Sequence, residues 1–146
     1  MILNSDTRFG VKGLILSGER VLLLRKPNGE YDLPGGRLEI GERSKDGLKR
    51  EILEETGLSK VEVYDWFAWW AFINRQGIKI MGTTWLCLFK GGRIALSSEH
   101  SGYTLKPLNE LKGLGIFSRY ALDEFDAYYA RQFGEWRRSD GALGSC

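Results

Sequence analysis

The stretch from Gly35 to Leu58, GGRLEIGERSKDGLKREILEETGL, decides how the rest of the chain is read. It opens as a glycine-rich loop, becomes a strongly charged helix and stops at Gly57. Glu51, Glu54 and Glu55 are spaced i, i+3 and i+4, so a helix places them on one face. Leu48 and Ile52 form a neighbouring apolar stripe able to lie on a sheet. Ser44 is the expected N-cap, with Glu42 and Asp46 near the positive end of the helix dipole. Gly57 is the expected left-handed residue that ends the helix.

Such a face is unfavourable on its own. Two carboxylates ~5 Å apart repel by roughly 3 kcal/mol at an effective dielectric near 20, and Arg50 offsets only part of that. A divalent cation reverses the sign, and hard carboxylate oxygens suit Mg²⁺ or Mn²⁺. The alternative is a solvated acidic face paired to lysines. The preceding loop, YDLPGGRLEIGE, argues for a site, because Pro34-Gly35-Gly36 forces an irregular backbone that can approach a ligand closely.

Gly36, five residues, Glu42, seven residues, then Arg50-Glu51-Ile52-Leu53-Glu54-Glu55-Thr56-Gly57-Leu58 resembles the Nudix box of the Nudix (MutT-like) hydrolases, with every fixed position filled. The resemblance extends from about Phe9 into the C-terminal helix and is sharp from Asp32 to Leu58. It implies an α/β fold, an α/β/α sandwich around a mixed β-sheet. It also implies metal-dependent hydrolysis of a pyrophosphate bond in a nucleoside diphosphate derivative. On it, Glu54 and Glu55 would be the main metal ligands, Glu51 a ligand or the general base, and the Gly36 carbonyl a further ligand. Glu42 would be an outer or second-metal ligand, and Arg50 would orient a box glutamate by a charge-assisted hydrogen bond. The chemistry agrees: attack of water on a pyrophosphate needs charge neutralisation, an activated water and in-line geometry, which divalent ions on a carboxylate face supply.

Outward from the box, Phe9–Leu16 and Val21–Leu24 read as a β-hairpin about Ser17-Gly18-Glu19-Arg20. Arg25 ends the second strand. In the resembling family this surface lies near substrate, so Arg25 is a candidate phosphate contact, with a solvated strand end as the alternative. Val61–Ile73, VEVYDWFAWWAFI, suits a strand covered on both faces, and Ile78–Phe89 its partner across the turn Asn74–Gly77. Trp66, Trp69, Trp70 and Trp85 lie on these strands. Purine stacking is one use for such rings. Packing in a core or at a homodimer interface is the other, and is expected for most of them.

Ile94–Leu96 reads as a short strand, followed by the polar loop SSEHSG. The resemblance makes Glu99 a further candidate ligand or base, with His100, the only histidine, in a supporting role. Pro107–Leu111 reads as a short helical turn and Arg119–Trp136 as one amphipathic helix covering the sheet.

The chain has 146 residues, 42% apolar and 27% charged, and is expected to form a single domain over 1–146 with 137–146 a flexible tail. A net charge of +2 argues for neither a nucleic-acid polymer nor a membrane as partner. The N-terminus lacks the pattern of a secretory signal. Cys87 and Cys146 read as a buried thiol and a free tail thiol, which suits a cytoplasmic setting. The resemblance also bears on substrate. ADP-ribose pyrophosphatases of the family tend to carry a proline after the box, where this chain has none between Pro34 and Pro107. The tyrosine typical of diadenosine polyphosphate hydrolases is replaced here by Asn74, Arg75 and Gln76, and the proline-rich NADH signature is missing. The expected substrate is a nucleoside triphosphate, oxidised or otherwise damaged, cleaved to monophosphate and pyrophosphate. ADP-ribose or a nucleotide sugar is the runner-up. A non-catalytic nucleotide-binding module is the third reading, disfavoured because no box glutamate is lost.

Overall fold

The computed structural model describes residues 7–133. Strands β1 (Thr7–Ser17) and β2 (Arg20–Arg25) form the expected hairpin, with Gly18 at φ 65° in the turn. Short strands β3 (Tyr31–Asp32) and β4 (Gly35–Arg37) lead into helix α1 (Ser44–Thr56). Long strands β5 (Val61–Ile73) and β6 (Lys79–Phe89) follow, then β7 (Gly102–Pro107), a 3₁₀ turn at Leu108–Leu111 and helix α2 (Gly115–Arg119). A second 3₁₀ turn at Leu122–Glu124 runs into α3 (Phe125–Phe133).

The seven strands form one sheet of order β3-β2-β1-β6-β5, with β4 added to β1 and β7 to β2. β1 and β6 are parallel and the other pairings antiparallel, so the sheet is mixed. On one face Leu48 and Ile52 of α1 seal Val11, Ile15, Val63 and Cys87. On the other, Tyr120, Leu122, Phe125 and Tyr129 cover Leu14, Leu86, Phe67 and Trp70. The result is the expected α/β/α sandwich, with β1 central in the sheet.

Four local expectations change. Arg43, not Ser44, occupies the cap of α1, because its carbonyl is the first helical acceptor, bonded by the Gly47 N–H at 2.8 Å. The C-terminus is as read: Gly57 is left-handed at φ 74° and its N–H reaches the Leu53 carbonyl. Among the described residues β5 is not covered on both faces. It is a terminal strand of the sheet, and Trp66 and Trp69 are 49% and 65% exposed. Ile94–Leu96 forms no strand; instead the Ala95 and Ser97 N–H groups bond the carbonyls of Thr56 and Glu55.

The single helix expected over Arg119–Trp136 is broken at Ala121, which takes φ 55°. Residues two apart on a continuous helix lie about 200° apart, so Tyr120 and Leu122 could not both face the sheet. The break buries both, at 5% and 1% exposure. Cys146, the 137–146 tail and the end of the expected helix lie outside the described residues.

Candidate active site

The box folds back on β1. β4 pairs with Gly10, Val11 and Lys12, which brings Gly35 and Gly36 under the C-terminal half of α1. Gly35 sits at φ 143°, and a Cβ there would overlap the Val11 carbonyl. At Gly36 a Cβ would overlap the Glu51 carboxylate. Both glycines are thus required by the close approach of backbone to backbone and of backbone to acid.

Arg50 organises the exposed half of the acidic face. Its Nε and Nη2 donate to the two Glu42 oxygens at 2.6 and 3.0 Å, a two-point pair. Its Nη1 donates to Glu51 at 3.0 Å and Glu54 at 3.2 Å, and Nη2 also to the Arg37 carbonyl at 3.1 Å. The hydrogen bond from Arg50, helped by the Glu39 N–H, holds the Glu42 carboxyl down at about 2. Glu51 shifts the other way, because partial burial outweighs the same guanidinium.

Glu55 lies apart from this cluster. It is 8% exposed, accepts the Gly35 N–H at 2.9 Å and is pushed up to about 7 by burial, against the pull of Gly35 and Lys12. Lys12 is the residue the sequence reading missed. Its ammonium donates to Asp32 at 3.2 Å and to the Leu33 carbonyl at 3.0 Å, and lies 5.2 Å from the Tyr120 ring centroid. Burial opposes its charge, but Asp32, Tyr120 and Glu55 together hold it more firmly protonated than usual. The signal was present: Lys12 is the lone charge inside the apolar run FGVKGLIL.

Two adjoining cavities meet at Lys12, Lys26 and Asn28. One, of about 450 Å³, is lined by Asp32, Gly35, Glu55, Glu99 and His100. The other, of about 460 Å³, carries Gly36, Trp70, Phe72 and Tyr120 on its walls. Trp70 is fixed: its indole N–H donates to Thr84 at 2.9 Å, and the Thr84 hydroxyl donates to the Tyr120 carbonyl at 2.8 Å. Phe72 stacks on it with ring centroids 5.8 Å apart. Lys12, Lys26, Arg37, Arg75 and Arg119 line this second cavity with, among the described residues, only Glu30 opposing them, a field suited to a polyanion.

Of the residues singled out from sequence, Glu55 and Glu99 share a cavity. The loop carrying Glu99 is fastened at both ends, by the Ser97 N–H to the Glu55 carbonyl at 3.1 Å and by the Ser101 N–H to the Arg25 carbonyl at 2.8 Å. His100 Nδ1 is buried with no hydrogen-bond partner among the described residues, and burial lowers its pKa. Glu51 and Glu54 line neither cavity, although Glu51 abuts Gly36. Arg25 also lines neither; its guanidinium lies 5.7 Å from the Tyr31 ring centroid, and Lys26, one residue on, faces both cavities. At the end of β2 Arg25 is exposed and pairs across the sheet with Tyr31 of β3.

The donor chemistry fits a hard divalent cation: Glu51, Glu54, Glu55 and the Gly36 carbonyl offer only oxygens. Among the described residues no three acids already converge on a metal-holding geometry, because Arg50 draws Glu51 and Glu54 to itself while Glu55 bonds to Gly35.

Known proteins with this arrangement can be compared directly. The family model of the NUDIX domain matches residues 6–131. The oxidized purine nucleoside triphosphate hydrolase of Mus musculus is 42% identical over 59 residues, 38% of each chain. The ADP-ribose pyrophosphatase of Methanocaldococcus jannaschii is 42% identical over 52 residues, 33% of this chain and 31% of the relative. The alignments thus cover about a third of these curated relatives. The crystal structure of a MutT protein from Methanosarcina mazei superposes with a TM-score of 0.74 at 26% identity, covering 90% of this chain and 99% of that one. The matched span takes in the box, the sheet and both cavities, and on it the chain belongs to the NUDIX family.

Proposed function

We propose that the chain hydrolyses a pyrophosphate bond in a nucleoside triphosphate, oxidised or otherwise modified, releasing the monophosphate and pyrophosphate with Mg²⁺ or Mn²⁺. The observation that carries this reading is the meeting of an aromatic cavity and a carboxylate cavity at Lys12, Lys26 and Asn28. A base resting against the aromatic wall of Trp70, Phe72 and Tyr120 would bring its phosphates to two ammonium groups and onward to Glu55 and Glu99.

Glu51, Glu54, Glu55 and the Gly36 carbonyl would hold the metal, and Glu42 would act from outside that set through Arg50. Bound there, a divalent ion supplies charge neutralisation on the phosphate oxygens and an acidified water. The chain's own residues do the rest. Lys12 and Lys26 orient the phosphates, Arg50 aligns Glu51 and Glu54, and Glu99 or Glu51 accepts the water proton on a carboxylate oxygen. The two-point bond of Arg50 to Glu42 supports the aligning role. A single cytoplasmic domain is part of this reading; the buried free thiol of Cys87 agrees with a reducing compartment, and among the described residues no helix is long and apolar enough to cross a membrane.

A second reading, ADP-ribose or a nucleotide sugar, is favoured by Arg75 and Arg119 at the far side of the aromatic cavity, where a second anionic group would find partners. The two readings separate in a product screen with Mg²⁺ or Mn²⁺ in mildly alkaline buffer. Triphosphates giving monophosphate plus pyrophosphate support the first. Cleavage of ADP-ribose or nucleotide sugars alone moves the assignment to the second. Nucleotide binding with no product from folded, metal-loaded protein removes the enzyme.

A further inference from the structure

Two threonines, Thr56 and Thr84, are completely buried. They serve different purposes. The Thr56 hydroxyl donates to the Ile52 carbonyl and accepts the Leu58 N–H, which finishes its own helix. Thr84, in the middle of β6, has partners 14 and 36 residues away. Its oxygen accepts the Trp70 indole N–H at 2.9 Å, and its proton goes to the Tyr120 carbonyl at 2.8 Å. That carbonyl is available because the chain turns at Ala121. In a continuous helix it would accept the Glu124 N–H. Here that N–H bonds the Ala121 carbonyl at 3.1 Å instead. The Tyr120 ring stands edge-on to Trp70, with centroids 4.9 Å apart. Gly82 leaves room for the indole where a Cβ would overlap it. Lys12, whose ammonium lies 5.2 Å from the Tyr120 ring centroid, is the partner of Thr84 across the β1–β6 ladder. The aromatic wall therefore ends where the cationic junction of the two cavities begins.

We infer that Thr84 is a positioning residue of the proposed reaction: its single hydroxyl locks Trp70 and Tyr120 into one wall for the substrate's base. The inference rests on the reading of the aromatic cavity as the base site. Valine would fill the same volume with nothing to satisfy, so packing alone does not call for a hydroxyl here. Two hydrogen bonds supply direction, which packing lacks: one fixes the rotation of the indole, the other the end of α2. Thr84 lines neither cavity, so it acts only through Trp70 and Tyr120. A slackened wall weakens ground state and transition state alike, which raises KM and leaves kcat in place.

Thr84→Val, Thr84→Ala and Thr84→Ser test this, with circular dichroism as the check on folding. Valine removes both bonds at constant volume, alanine leaves space for a water, and serine keeps the hydroxyl. Binding of ATP, GTP and ADP-ribose is measured by calorimetry in EDTA. Turnover of the same three is measured with Mg²⁺, and inorganic pyrophosphate serves as a base-free inhibitor. The expected result for valine and alanine is a rise of about tenfold in nucleotide Kd and KM, with kcat and inhibition by pyrophosphate unchanged. Serine should stay close to the parent. A folded valine or alanine variant with parental nucleotide affinity overturns the inference, because the hydroxyl is then structural only. Weaker pyrophosphate inhibition in step with nucleotide affinity also overturns it, since the whole site has then loosened. So does a serine variant no better than alanine. Failure of the functional reading looks different: the parent binds nucleotide without cleaving it, and the Kd values still decide the role of Thr84. A parent that neither binds nor cleaves any of the three overturns both.

Discussion

Two charged clusters lie within a few residues of each other in this protein and are built on opposite principles. The Arg50 cluster draws its main partners from one short stretch, Glu42 to Glu54, and runs from half-buried Glu42 and Glu51 out to Glu54, 56% exposed. The Lys12 cluster joins β1, β3 and α1, from residues 12, 32 and 55, and its ion pair is only 12–13% exposed. Solvent screens the Arg50–Glu54 pair, so it contributes little to folding and Glu54 is free to change partners. Water is largely excluded from the second, so each of its charges depends on the others. Neighbouring acids of one helix are thus held differently: Glu54 loosely at the surface, Glu55 tightly by the fold.

The sharpest challenge to that division is Glu54→Gln. Turnover should fall on the order of 10²–10³-fold as one charged oxygen leaves the metal shell, while the denaturation midpoint stays put. Unchanged Mg²⁺-dependent turnover would remove Glu54 from the site. Lys12→Met should do the reverse to stability, lowering it by about 3 kcal/mol in urea titrations because Asp32 and Glu55 lose their shared cation. A loss below about 1 kcal/mol would show the cluster to be as well solvated as Arg50's.

Glu55→Gln carries a pH signature in metal-free protein. Folding raises this carboxyl from its ordinary 4.5 to about 7, so the folded state favours the protonated form. Below the unfolded value both states are protonated and the group contributes nothing. As pH rises through that window, the ionised carboxylate costs the folded state up to about 3 kcal/mol, fully felt above the folded value. The variant should therefore be more stable than the parent in mildly alkaline EDTA buffer and equal to it in acid. An equal gain at both pH values would mean packing, not charge, is responsible. The smallest effect is expected from Arg25→Ala: less than about 0.5 kcal/mol in stability and no change in kcat/KM, since the side chain faces Tyr31 rather than a cavity. A clear rise in KM would put Arg25 back at the phosphates.

Where the information is local, the sequence was a good guide. The period of Glu51, Glu54 and Glu55, the apolar pair Leu48 and Ile52, and the stop at Gly57 are features of one helix, and α1 follows them to within a residue. The hairpin of β1 and β2 and the long pair β5 and β6 were legible for the same reason. Expectations failed where the answer depended on what lies alongside. Trp66 and Trp70 look alike in the run WFAWWAF, yet the first is half exposed and the second buried, because β5 ends the sheet and only one of its faces is covered along its length. The periodicity of Tyr120 to Phe133 suggested one helix, but burying Tyr120 and Leu122 together required a break at Ala121.

The amino-acid sequence by itself determined the fold class, the acidic helix and its glycine loop, since these rest on spacing and on backbone freedom within a few residues. Only the tertiary structure decided which charges meet. Lys12 reaches Asp32 because β4 and α1 close over β1, and the Glu99 loop reaches Glu55 because backbone hydrogen bonds staple it to α1 and β2. Such contacts depend on which strand lies beside which and on which side chains burial forces together, and no short window of residues contains that.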